Sequence, residues 1–159
     1  MNTPAERREK INKLRDLPKQ LQAAVKGLNK DQLLTPYREG GWTVAQVVHH
    51  LADSHLNAYL RMRLIATQEN PTLNAYDQNV WAAFKDSTQP SITASLAVLK
   101  GLHKRWVVFL KSRKKNDWKR VGLHPERGEV SLDDLLNTYS RHGENHVAQI
   151  TGLRKARGW

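Results

Sequence analysis

Residues 40–63, GGWTVAQVVHHLADSHLNAYLRMR, repeat their apolar side chains at helical spacing. Each helical residue advances about 100°, so Val44, Val47, Val48, Leu51, Tyr59 and Met62 fall on one stripe. Thr43 stands where an N-cap is expected, which places a long helix over about 43–67. His55 lies in the middle of the stripe. His50 lies at its edge beside Ser54, Asn57 and Arg61, and His49 lies on the opposite flank. Periodicity selects His55 as the inward residue. It leaves open which histidine meets side chains from another helix.

The same period recurs on both sides of this segment. A first helical region covers about 5–28. Pro18 interrupts it, lacks an N–H, and is expected to kink or split it. A third long helix is expected over about 91–113. The last begins at Ser131-Leu-Asp-Asp134, which resembles a capping box with Asp in place of Glu, and ends near Gly158. Between them, TPYREGGW is a turn-rich break, and a loop with a short helix around Asp77–Lys85 follows the second long helix. NDWKRVGLHPERGEV is polar and holds Pro and Gly, so any strand should be a small hairpin within 118–131. The pattern is all-α: a four-helix bundle with a short irregular or hairpin connection before its last helix, one domain over 1–159.

Cysteine is absent, which excludes disulfides, thiolate nucleophiles and zinc–thiolate sites. The first residues, MNTPAERREKINKLR, have no apolar core of the kind a secretory signal needs, and no apolar run approaches a membrane span. A soluble cytoplasmic protein with no membrane partner is the expectation. Lys and Arg number 26 against 15 Asp and Glu, a net charge of +11 that favours anionic partners. The basic residues are scattered, apart from KSRKKNDWKR at 111–120, and no nucleic-acid motif accompanies them. Nucleic acid is therefore not the expected partner.

The chemistry concentrates in the last helix. His142-Gly-Glu-Asn-His146 puts two imidazoles four residues apart, on the face defined by Leu135, Leu136, Tyr139, Ile150 and Leu153. Glu144 falls away from that face. A zincin needs Glu directly after its first His, and Gly143 stands there instead, so this is no metalloprotease signature. Two readings stay open from spacing: packed core histidines, or half of a metal site. His103 shares an apolar face with Leu96, Leu99, Trp106 and Leu110, as a packed core residue would. His124 precedes Pro125 in a loop, where exposure is the first expectation and a pocket role the second.

TPYREGGWTVAQVVHHLADSHLNAYLR, followed some ninety residues later by HGENH, resembles the DinB/YfiT-like superfamily, and more narrowly its YfiT-type metal-dependent hydrolases and the associated bacillithiol transferases. The likeness extends through AYDQNVWAAFKDS, the LHP loop and the final HVAQITGLRKARGW. It implies an up-down-down-up connection of the four helices and a three-histidine metal site between them. The first ligand is implied to be the His directly before Leu in HLAD, here His50, with His142 and His146 as the others. Glu144 and Asn145 occupy positions that can be histidine in relatives. The resemblance implies one divalent ion per chain, Zn or Ni, and a homodimer. It implies a small-molecule substrate, with a low-molecular-weight thiol as the favoured class. His55, Asn57, Arg61 and His103 are then candidates for the substrate pocket. Three neutral imidazoles leave an ion its full charge and an open position, which can acidify either a thiol or water. The expected activity is small-thiol S-transfer. Metal-assisted hydrolysis is the alternative, and a non-enzymatic basic binding protein lies beyond it.

Overall fold

The computed structural model describes residues 1–159. Six α-helices run in the order α1 (Pro4–Val25), α2 (Lys30–Leu33), α3 (Val44–Thr67), α4 (Gln78–Ala82), α5 (Thr93–Lys111) and α6 (Leu132–Arg157). A 3-10 turn at Asp117–Lys119 and two strands, β1 (Val121–His124) and β2 (Gly128–Ser131), separate α5 from α6. No helix is long and apolar enough to cross a membrane.

Local chemistry explains the helix starts. Thr3, Thr43 and Ser131 each accept the backbone N–H three residues on, and Glu6, Gln46 and Asp134 return a side-chain bond to the cap. Gly158 ends α6 in the left-handed conformation, with φ at 69°. The first helix stops at Val25, short of the expected 28, because Lys26 is extended and Gly27 takes a positive φ.

Pro18 neither splits nor ends α1, which continues through it from Pro4 to Val25. A proline leaves the carbonyl four residues back without its helical partner. That carbonyl, of Leu14, receives Nδ1 of His103 from α5 instead. The lost backbone bond is replaced across the bundle.

The four long helices pack in a ring in which α1 and α3 each touch both α5 and α6. Their apolar faces form two clusters. One holds Leu14, Met62, Trp106 and Leu135; the other holds Leu21, Val48, Leu99 and Ile150. Along the chain, α1 and α6 pass from the first cluster to the second, while α3 and α5 pass from the second to the first. The connection is up-down-down-up. His55, His142 and His146 fall between the clusters, so a polar layer crosses the bundle near its middle.

The hairpin pairs antiparallel, with Gly122 opposite Val130 and His124 opposite Gly128. Strand β1 is tied to the segment after α3 by Leu73 N–H to the Leu123 carbonyl, 2.8 Å, and Leu123 N–H to the Pro71 carbonyl, 2.9 Å. A Cβ on Gly122 would stand 3.0 Å from Ile65, Leu73 and the Pro71 carbonyl, so glycine permits this close approach.

Candidate metal centre

His50 on α3 and His142 and His146 on α6 meet in the polar layer. Nε2 of His142 lies 3.2 Å from Nε2 of His50 and 3.2 Å from Nε2 of His146. All three donor atoms lie within 4.8 Å of one another. With metal–nitrogen bonds of about 2.0–2.1 Å, the edge of a tetrahedron is about 3.3 Å, so the spacing suits one small divalent ion. The other ring nitrogens of the two α6 histidines are engaged elsewhere. His146 Nδ1–H donates to Gln149 Oε1 at 2.8 Å, and His142 Nδ1 meets Nε2 of His55 at 3.1 Å. Trp42 packs on His50 with ring centroids 4.6 Å apart.

Electrostatics keep the cluster neutral. Burial, reinforced by the neighbouring imidazoles, pushes His50 and His142 down to about 3. Burial also lowers His146, against the Gln149 hydrogen bond. Three imidazoles that stay uncharged at neutral pH and turn their Nε2 atoms to one point form a donor set for a cation.

Glu144 turns away and pairs with Lys13 at 3.2 Å. Gly143 packs against Leu17 of α1. The position of a zincin's general base is therefore part of a helix–helix contact.

The four pocket candidates separate. His55 is fully buried and touches His142, as its place on the stripe requires. His103 lies behind it, with Nε2 at 3.0 Å from His55 Nδ1. Arg61 opens onto a cavity of about 460 Å3 that also exposes Tyr76, His124, Tyr139 and His142. Asn57 is absent from that lining and donates to the Asp53 carbonyl at 2.9 Å. A larger cavity of about 810 Å3 lies between α1 and α5. It reaches His103 but none of the three clustered histidines, so the smaller one is the candidate substrate pocket.

His124 is 6 % exposed and lines the smaller cavity, so of its two expected places the pocket holds and the exposed loop does not. The hairpin folds back on α3 and α6 and buries it. His49 also stands apart from the centre, bridging Ser95 Oγ and the Gln89 carbonyl. Sequence reasoning missed Gln149 and Tyr76. Gln149 had a signal, since it follows His146 by three residues, one helical turn. Tyr76 sits in a connecting segment without helical spacing, and its one signal was its place in the AYDQNVWAAFKDS stretch of the likeness.

The chain's DinB superfamily match spans residues 13–150. A protein of Oceanobacillus iheyensis named "Putative metal-dependent hydrolase" is 46% identical over 151 residues, covering 95% of this chain and 87% of that protein. A Bacillus cereus protein of the same name is 47% identical over 149 residues, covering 94% and 86%. Among solved structures, YfiT from Bacillus subtilis superposes with a TM-score of 0.97 at 40% identity, covering 100% of this chain and 91% of that one. It is described as a probable metal-dependent hydrolase with an unusual four-helix bundle topology. The mycothiol-dependent maleylpyruvate isomerase aligns with a TM-score of 0.71 at 17% identity, over 94% of this chain and 63% of that one, a likeness of fold alone.

Proposed function

The chain belongs to the DinB superfamily, and on that footing we propose a metal-dependent enzyme acting on a small molecule, with one divalent ion held by His50, His142 and His146. The observation that carries the reading is the convergence of three neutral imidazole nitrogens from two helices beside a cavity. When bound, such an ion keeps its charge and lowers the pKa of a thiol or water that reaches it. Imidazole suits both zinc and nickel.

The cavity supplies the rest of the recognition. Arg61 is buried and takes part in none of the chain's ion pairs. Its Nε–H and one Nη2–H donate to the Asn74 carbonyl, and one Nη1–H donates to Tyr139 Oη at 3.2 Å. A guanidinium has five N–H groups, so one on Nη1 and one on Nη2 stay available to an anionic group. Asp77 and Glu126 also line the cavity, but both are exposed at its rim. The substrate we infer carries an anionic group toward Arg61 and its reacting group toward His142.

Between the two chemistries we favour transfer of a small thiol. Gly143 occupies the place of a helix-borne general base, and a thiol needs less help than water to lose its proton. Hydrolysis is the second reading, favoured by the names of relatives 46–47% identical to this chain.

Elemental analysis of the purified protein should give about one zinc or nickel per chain, and His146→Ala should lose it. Full occupancy in that variant refutes the ligand assignment. Bacillithiol, glutathione and coenzyme A-type thiols should then be screened with a monochlorobimane-like electrophile, with and without chelator. Metal-dependent conjugation supports transfer. Its absence alongside metal-dependent cleavage of an ester or amide establishes the hydrolase.

A further inference from the structure

His55 and His103 are buried, neither is a candidate ligand, and neither is used by the reading above. Their hydrogen bonds nevertheless run in one unbroken line to the centre. The line starts in the backbone of α1. A residue with an N–H at position 18 would donate it to the Leu14 carbonyl; Pro18 cannot, and Nδ1 of His103 takes the oxygen. A carbonyl only accepts, so this nitrogen carries a proton.

The rest follows by elimination. His103 is 1 % exposed, with no carboxylate among its hydrogen-bond partners, so it is neutral and its Nε2 is bare. Nδ1 of His55, 3.0 Å away, must therefore donate to it. His55 is fully buried and neutral for the same reason, which leaves its own Nε2 bare. Nδ1 of His142, 3.1 Å away, must donate in turn. The proton of His142 is thereby kept on the side away from His50 and His146.

We propose that Pro18, the Leu14 carbonyl, His103 and His55 form a positioning chain that holds His142 as its Nδ1–H tautomer and so points a bare Nε2 at the metal position. The opposite tautomer would place an N–H between the ligand nitrogens and block coordination. A neighbour that accepts the distal N–H also raises the basicity of a ligating imidazole and holds its ring in plane. His146 obtains the same service from a single half-buried glutamine. His142 obtains it from a chain anchored on a backbone carbonyl, which can only accept. Pro18 therefore acts as the source of a free acceptor inside a continuous helix.

The proposal rests on the three-histidine reading of the centre, but its first test needs neither metal nor turnover. Ring 15N NMR of the metal-free protein should show His103, His55 and His142 all protonated at Nδ1. An Nε2–H tautomer at His103 or His55 overturns the chain. The second test uses chelator competition on the zinc-loaded protein. His103→Phe removes the acceptor facing His55 and should weaken zinc binding about 10–100-fold. His103→Gln can return an oxygen acceptor to that place and should recover most of the affinity. Equal affinity in His103→Phe and the wild type, or equal loss in both variants, overturns the positioning role. Should His103→Phe fail to fold, the comparison of His103→Gln with the wild type and the tautomers still decides. A wild-type protein that takes up no metal would refute the ligand reading itself, and the tautomers would distinguish that failure from this one.

Discussion

A methyl group added at Gly143 tests how α6 is seated against α1. A Cβ built there would lie 2.4 Å from Leu17 Cδ2, 2.7 Å from Cδ1 and 3.1 Å from Cγ. Leu17 is 2 % exposed, so its branched end has little room to retreat. Overpacking of this kind costs about 1–3 kcal/mol, and the overlap with two methyl groups puts Gly143→Ala at the upper end. Against this, alanine is about 1 kcal/mol better than glycine inside a helix. The expected net loss is about 2 kcal/mol, a fall in Tm of roughly 4–8 °C for a chain of this size. Because the strain falls beside His142, zinc affinity should fall with it. The assay is reversible thermal and urea denaturation of the metal-free protein, followed by far-UV circular dichroism. Leu17→Ala alone should cost about 2–5 kcal/mol through the cavity it leaves. In the double variant the new methyl enters that cavity, so it should be at least as stable as Leu17→Ala alone. The packing argument fails if Gly143→Ala matches the wild type in stability, or if the double variant is less stable than Leu17→Ala.

Stability of the metal-free protein should depend on pH in a defined direction. Burial holds His50 and His142 down at about 3 and His103 at about 4, while the unfolded chain protonates them near 6.5. The unfolded state binds more protons below that value, so stability is full above about pH 6.5 and falls progressively toward pH 3. Urea midpoints that stay flat from pH 7 to about 4 would contradict this. Arg7 and Asp133 form a nearly buried pair at 2.7 Å, with side chains 10% and 2% exposed. Arg7→Met leaves the carboxylate only the Asn2 backbone N–H and should cost about 3 kcal/mol in the same denaturation assay; a loss below about 1 kcal/mol would mean that this bond and solvent suffice for it. Ser131→Ala removes the N-cap of α6 and should cost about 1 kcal/mol; a null result would show that Asp134 alone secures the helix start.

The elements themselves were legible in the sequence because their causes are local. Apolar side chains at 3.6-residue spacing marked the four long helices, and Thr43 and Ser131 marked two of their starts within a residue. The hairpin fell inside the expected 118–131 connection. His142 and His146 were also legible as a pair, since four residues along a helix bring two side chains to one face.

What the sequence by itself determined was therefore the set of helices and the face each presents. Which residues meet across those faces was decided by tertiary structure. Periodicity gives an angle around a helix, and His50 and His55 both lie near enough to inward; the height at which α6 crosses α3 sends His50 to the three-nitrogen cluster and His55 behind it. Asn57 and Arg61 share an edge of the same helix. The shorter amide bonds back to its own backbone, while the longer guanidinium reaches the Asn74 carbonyl and the cavity. His124 is buried because a hairpin distant in sequence folds onto the bundle. Pro18 reads locally as a break, since a missing N–H is a local property. Its cost is offset by a donor on α5, which sequence spacing cannot locate because the partner is 85 or more residues away along the chain and adjacent only in the packed bundle.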